Sequence, residues 1–226
     1  MENTIQNQEA FEFLKEVQDK SVDLIIIDPP YSTPVITAFG RKKVKNLADL
    51  SIQEYFFTGL KKEFERVLKD DGRLFVFCDD KFYPVLFAVF YDWLNLQLLI
   101  WDKGKIGMGR PIRKQHELIM YANRGSWVFE KEELTHIPSV IKVKSESDKV
   151  HSAQKPLELL KTLIYGFSKE GDVILDCFSG SGNTAIASME LKRKFIGCDL
   201  NKTYAENSNN RLSKLNSEGK FFSSQA

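Results

Sequence analysis

Apolar residues fall along this 226-residue chain in two rhythms. Continuous apolar runs at residues 22–27, 74–78, 96–101, 117–122, 173–175 and 195–198 suit short strands covered on both faces. Between them, apolar positions recur at three- and four-residue spacing. Ile52, Phe56, Leu60, Phe64 and Val67 give one helical stripe, which Asp70-Asp71-Gly72 should close. Leu157, Leu160, Leu163, Ile164 and Phe167 give another, opened by Pro156. Residues 82–93 are mostly apolar and predict a helix with Pro84 in its first turn. Two more helices are expected, one running to Leu191 and one from Lys202 to about Leu215. Strands alternating with helices predict an α/β fold with a mainly parallel sheet. Residues 125–150 have little periodicity and many charges, so an irregular insert is expected there.

Composition narrows the class. An apolar share of 42%, with 17 Phe, 7 Tyr and 3 Trp, is enough for a sizeable core. No repeat or linker divides the chain, so residues 1–216 are expected to form one domain. The Ser-, Asn- and Lys-rich end, from Ser213 onward, should be disordered, with 217–226 as a flexible polar tail. Met1-Glu2-Asn3-Thr4 lacks the pattern of a signal peptide, and no apolar run approaches the roughly 18 residues that span a bilayer. Cys78, Cys177 and Cys198 are odd in number and lie in or just after strand-like runs, which suits buried reduced thiols in a cytoplasmic protein. His116, His136 and His151 are too scattered for a zinc site, and no metal is expected. Net charge is only +1, so attraction to a polyanion must come from local patches.

The first chemical candidate is the turn Cys177-Phe178-Ser179-Gly180-Ser181-Gly182-Asn183-Thr184, between a buried strand and a helix. Its glycines let the backbone approach a ligand closely. Asp199 ends the next strand, where a carboxylate can accept hydrogen bonds from both ribose hydroxyls. Gly180-Ser181-Gly182-Asn183-Thr184-Ala185 also fits a dinucleotide-binding pattern, and a plain tight turn would satisfy the segment as well. Asp176 shifts the balance. A diphosphate favours an uncharged loop, whereas an acid at the strand end suits a cationic ligand such as S-adenosylmethionine.

The second candidate is Asp28-Pro29-Pro30-Tyr31, directly after the strand at 22–27. Alone it is a rigid turn. Its groups nevertheless suit a reaction at an exocyclic amino group, whose lone pair is delocalised into the base. Asp28 offers a carboxylate and Pro29 a carbonyl to accept the two N–H hydrogens, and the prolines preorganise both. Tyr31 offers a ring for stacking, worth about 1–3 kcal/mol, against the few kcal/mol needed to flip a base.

Together these segments resemble the β-type DNA amino-methyltransferases, in which the Asp-Pro-Pro-Tyr region precedes the Asp-x-Phe-x-Gly-x-Gly region. RNA-directed relatives mostly have the opposite order. The similarity covers most of residues 4–216, and His151-Ser152-Ala153-Gln154-Lys155-Pro156 is similar to that family's His-Pro-x-Gln-Lys-Pro segment. The resemblance implies a Rossmann-like methyltransferase fold of seven mostly parallel strands with helices on both faces and a permuted motif order. It also implies that Asp176, Phe178, Ser179, Gly180, Ser181, Gly182, Asn183 and Thr184 line S-adenosyl-L-methionine. Asp199 and Leu200 would lie at the ribose, Gln154 and Lys155 at its amino-acid end, and Glu9 near the adenosine. Ser152, Asn183 and Glu9 depart from the family's usual proline, threonine and aspartate. Aspartate before Pro-Pro-Tyr implies N6-adenine in DNA as the target, where Ser-Pro-Pro commonly accompanies N4-cytosine.

Double-stranded DNA is the expected partner. Arg41, Lys42 and Lys43 follow the catalytic turn, and Lys103, Lys105, Arg110, Arg113 and Lys114 form a second basic group among glycines. Such groups contact phosphates, which position DNA without specifying its sequence. Base reading is expected within residues 102–150. That stretch is short, which leaves room for a homodimer, and the family allows a cognate restriction endonuclease. An N4-cytosine DNA methyltransferase is the first rival reading, followed by an RNA methyltransferase, a nicotinamide-dependent oxidoreductase and a catalytically silent DNA-binding subunit; intact Asp28, Tyr31 and glycine turn argue against the last.

Overall fold

The computed structural model describes residues 2–30, 50–107, 111–125, 137–145 and 154–217. The elements run β1 (Thr4–Asn7), α1 (Ala10–Glu16), β2 (Val22–Ile27), α2 (Leu50–Val67), β3 (Leu68–Cys78), α3 (Tyr83–Phe90), β4 (Leu94–Asp102), β5 (His116–Asn123), β6 (Val140–Lys142), α4 (Leu157–Phe167), β7 (Val173–Asp176), α5 (Asn183–Glu190), β8 (Lys194–Asp199) and α6 (Lys202–Ser217). They build one eight-stranded sheet in the order β1-β8-β7-β2-β3-β5-β4-β6. Among the described strands only β5 is antiparallel to its neighbours, β3 and β4.

Strand pleating sorts the core into two layers. Ile25 and Ile27 of β2, Leu74 and Val76 of β3, and Leu118 and Met120 of β5 face one way, against α1, α2 and α3. Leu24, Ile26, Phe75, Phe77, Ile119 and Tyr121 face the other, against α4. Helix α6 packs with α5 around Ile5, Ala185, Ile186, Phe195, Ala205 and Leu212. The continuous apolar character of 22–27 therefore comes from burial on both faces, as the sequence predicts.

Several expectations need correction. Among the described residues the sheet has eight strands rather than seven. Strand β1 buries only Ile5, and β6 buries only Ile141, so neither leaves an alternating trace. Part of the stretch expected to be irregular thus forms a strand, pairing β6 with Ile100, Trp101 and Asp102 of β4. Helix α1 also escaped the pattern; it is seven residues long and capped by Glu9. Asp70-Asp71-Gly72 does not close α2, which ends at Val67; the three residues bulge out of β3 between its pairings with Val22 and Leu24. The disorder expected from Ser213 is overruled by packing, since α6 continues to Ser217 with Leu212 buried. Among the described residues no helix is long and apolar enough to cross a membrane, and no His, Cys, Asp and Glu cluster could hold a metal. Cys78, Cys177 and Cys198 are buried free thiols.

Candidate active site

The chain leaves β2 toward β3 on one side, and β2 pairs on its other side with β7, so the sheet order reverses between them. In α/β sheets this reversal opens a crevice beyond the strands' carboxyl ends. Asp28 follows β2 there, Asp176 ends β7, Asp199 ends β8, and Glu9 follows β1. One edge thus gathers four acids that are far apart in sequence.

The glycine turn is built by backbone hydrogen bonds. Phe178 N–H donates to Asp176 Oδ1 at 2.9 Å, Ser179 N–H to the Cys198 carbonyl at 3.0 Å, and Gly182 N–H to the Ser179 carbonyl at 2.8 Å. Gly180 and Gly182 adopt left-handed φ of 48° and 76°, which L side chains disfavour. A Cβ on Gly182 would also lie 2.8 Å from that of Ser208. Ser208 Oγ donates to the Gly180 carbonyl at 2.9 Å, and Arg211 donates to the Ser181 carbonyl, so α6 holds the turn from behind. Asn183, expected to touch the cofactor, is buried; its Nδ2 donates to the Lys155 carbonyl at 2.9 Å and its Oδ1 accepts from Arg211 at 3.0 Å.

Asp199 is half-buried, and each of its carboxylate oxygens accepts one backbone N–H, from Gly180 and Asn201, both at 2.8 Å. Each oxygen can accept a second hydrogen bond. Leu200 beside it is exposed. Glu9 caps α1, its Oε2 accepting from Phe11 N–H at 2.8 Å and Glu12 N–H at 3.2 Å. Phe178 is half-buried, 6.3 Å from the Phe56 ring, while Thr184, Ser179 and Gln154 are buried. Asp176 is buried and its carboxyl is pushed up to about 7, first by burial and further by the Asp28 and Asp199 charges, against hydrogen bonds from Phe178 and Thr184. A buried acid surrounded by like charge favours a cation. This donor set, beside backbone cleared of Cβ atoms, fits a ligand bearing ammonium and sulfonium groups.

At the neighbouring strand end, Pro29 is buried and Pro30 exposed. Lys155 was expected at the cofactor's amino-acid end. Its ammonium lies 2.6 Å from Asp28 Oδ2 and 3.1 Å from Glu117 Oε2, over the Phe77 ring at 5.0 Å. Burial works against this ammonium, yet Asp28 and Glu117 hold its pKa above the ordinary lysine value. Burial likewise opposes ionisation of Glu117, and Lys155 and Lys103 outweigh it, keeping its carboxyl below the usual range.

The structure brings Asp28, Pro29, Glu9, Gln154, Lys155, the glycine turn and Asp199 to one edge. The basic residues divide. Lys103 pairs with Glu117, and Lys114 pairs with Asp80. Lys105 is exposed, and so is Arg113, whose Nε donates to the Gly107 carbonyl at 2.8 Å. Tyr31, Arg41, Lys42, Lys43 and Arg110 lie outside the described residues. Sequence reading missed Glu117, Ser208 and Arg211. Glu117 left one signal, an acid near the start of a mostly apolar strand; the antiparallel direction of β5 is what carries that start to the edge that holds Asp28.

Comparison with known proteins agrees with this geometry. The N6/N4 DNA methylase family model matches residues 22–210. Among curated relatives, the type II methyltransferase M.HhaII of Haemophilus parahaemolyticus is 32% identical over 214 residues, covering 84% of this chain and 88% of that protein. The solved M1.HpyAVI–SAM complex shares the fold with a TM-score of 0.71 at 24% identity, covering 92% of this chain and 98% of its own. The PvuII cytosine-N4-specific DNA methyltransferase aligns with a TM-score of 0.74 at 15% identity, covering 96% and 94%. With the family model matching most of its length, and a 32% identical relative beside it, the chain belongs to the N6/N4 DNA methylase family.

Proposed function

We propose that this protein is a site-specific DNA methyltransferase that moves a methyl group from S-adenosylmethionine to N6 of adenine, the base being flipped into the crevice. One observation carries the reading: Asp28 follows β2 and Asp176 ends its paired strand β7, one beside a rigid Pro-Pro turn and the other beside the glycine turn. When bound, S-adenosylmethionine supplies an electrophilic methyl carbon, so that the N–C bond forms as the C–S bond breaks. Asp28 and the Pro29 carbonyl accept the amino hydrogens and draw electron density onto the nitrogen. Asp28 then passes the displaced proton to solvent. Tyr31 stacks on the base. Asp176 neutralises positive charge on the cofactor, Phe178, Gly180 and Gly182 line it, and Asp199 accepts from its ribose. Lys105, Arg113 and Lys114 contact phosphates, with base reading within residues 102–150.

The Asp-Pro-Pro-Tyr turn favours adenine over cytosine. The test is incubation with labelled cofactor and amplified DNA, digestion to nucleosides, and identification of the labelled base. N6-methyladenine is expected. N4-methylcytosine would overturn the substrate assignment while leaving the chemistry at Asp28 intact. Full transfer by Asp28→Ala would remove that chemistry as well.

A further inference from the structure

Four charged side chains of alternating sign run through the catalytic edge: Lys103, Glu117, Lys155 and Asp28. Lys103 follows β4, Glu117 lies on β5, Lys155 precedes α4 and Asp28 follows β2. The two oxygens of Glu117 are divided, Oε1 to Lys103 and Oε2 to Lys155. The side chain of Lys155 is only 8% exposed, and those of Asp28 and Glu117 are 23% and 22% exposed. With so little water nearby, an unmatched charge here is expensive and a neighbour's charge acts strongly. The catalytic reading gives no work to Glu117.

We infer that Glu117 is a positioning residue for Asp28, sharing the Lys155 ammonium with it so that the catalytic carboxylate is held in place without being fully neutralised. The inference rests on the reading of Asp28 as the acceptor of the amino hydrogens. A carboxylate with an ammonium to itself is a weaker acceptor, because much of its charge is neutralised. A carboxylate with no cation would be driven toward its protonated form by burial. The 2.6 Å and 3.1 Å contacts place Lys155 between these extremes, closer to Asp28 but drawn by both acids. Among the described residues, Cys78 on β3 interacts with Asp28 and Glu117, and Asp176 on β7 interacts with Asp28. The Cys78 thiol is pushed up to about 12, first by burial, and so stays neutral. Asp176 and Asp28 repel each other when both are ionised, and the Asp176 carboxyl, pushed up to about 7, is largely neutral across the acid limb.

The alternating arrangement gives an unusual sign pattern. Neutralising Glu117 leaves Lys155 wholly to Asp28, so the acid limb of the pH–rate profile should move to lower pH. Neutralising Lys155 removes the cation 2.6 Å from Asp28 while Glu117 stays nearby, so the limb should move to higher pH. Loss of packing alone would not move the limb in opposite directions.

The test uses the full chain with labelled S-adenosylmethionine and amplified DNA, in single turnovers from roughly pH 5 to 9. Melting curves establish that each variant is folded. Glu117→Gln is expected to lower the plateau rate about tenfold and displace the acid limb downward by about one pH unit. Its cofactor dissociation constant, measured by calorimetry, should change by less than about twofold. Lys155→Met should displace the limb upward, and the double variant should lie between the two. If turnover is too slow to follow, the 13C carboxyl resonance of Asp28, assigned by its loss in Asp28→Asn, should titrate with the same shifts. An unchanged plateau and limb in Glu117→Gln, or shifts of one sign in both single variants, would overturn the inference. Asp28→Asn separates the two failures: if it transfers methyl at the native rate, the reading of Asp28 itself falls. If it is inactive while Glu117→Gln behaves as native, only the role of Glu117 falls.

Discussion

Gly180 N–H donates to Asp199 Oδ2 at 2.8 Å, joining the glycine turn after β7 to the end of β8. This bond and its partner from Asn201 fix the carboxylate so that its remaining lone pairs point away from the backbone that holds it. Asp199→Ala should therefore do two things at once. The dissociation constant for S-adenosylmethionine should rise at least about tenfold, since a ribose hydrogen bond to a charged acceptor is worth about 1.5–3 kcal/mol. The thermal midpoint should also fall, because two backbone donors lose their acceptor. Calorimetry and melting curves read the two effects separately. Unchanged affinity in a folded Asp199→Ala variant would mean that the carboxylate holds only the turn.

Asp176 predicts a pH dependence with a definite sign. Its folded carboxyl titrates at about 7, raised by burial, whereas an unfolded Asp titrates near 3.9. Between those values the folded state holds a proton that the unfolded state has lost. Its contribution to stability therefore falls as pH rises through that window, by about 1.4 kcal/mol per unit. A cationic ligand prefers the ionised form, so cofactor affinity should climb between about pH 6 and 8 and level off above. Binding at pH 7 should release part of a proton, seen as a buffer-dependent enthalpy in calorimetry. Asp176→Asn should weaken binding and flatten this pH dependence. Persistence of the slope in that variant would assign it to another group.

How much of this could be read from the chain follows from what each feature requires. The doubly buried strands at 22–27 and 74–78 announce themselves, because burial on both faces demands continuous apolar residues. The turns at Asp28 and Gly180 are equally legible, since prolines and glycines mark them directly. Strand β6 is hidden because pairing at a sheet edge needs backbone bonds and little apolar surface; only Ile141 is buried. The pairing of Lys155 with Asp28 spans 127 positions, and no local pattern encodes it. Glu117 is likewise invisible as a site residue until the antiparallel direction of β5 is known.

The basic loop between β4 and β5 yields a prediction about DNA that distinguishes its lysines. Lys105 and Arg113 are exposed, and Lys114 pairs with Asp80 on the surface. Each contact to a phosphate releases a counterion, steepening the salt dependence of affinity by about 0.9 in log–log slope. Lys105→Glu and Arg113→Glu should each flatten that slope by about one. Lys103→Met should leave the slope near its native value, because its ammonium is engaged with Glu117. Fluorescence anisotropy with a labelled duplex at several salt concentrations measures this. Equal flattening by all three variants would place Lys103 on the DNA.

Gly197 should be intolerant of even a methyl group. It sits in β8 opposite Asp176, and a Cβ there would lie 2.5 Å from the Asp176 carbonyl oxygen, 2.5 Å from Phe195 Cζ and 2.7 Å from Ser179 Oγ. The Asp176 carbonyl cannot retreat without breaking the hydrogen bond it accepts from Ser179 Oγ at 2.8 Å. Overpacking of this kind costs about 1–3 kcal/mol, and here the strain falls on the residues that open the glycine turn. Gly197→Ala should lower both the melting temperature and cofactor affinity. Gly171→Ala is the comparison: its φ is +86°, but no atom lies within 4 Å of the added Cβ. That substitution should cost stability through backbone strain alone, about 1–2 kcal/mol, and leave cofactor affinity unchanged. A Gly197→Ala variant that melts lower but binds cofactor as tightly as the native protein would show that the turn absorbs the crowding without moving its ligand-facing groups.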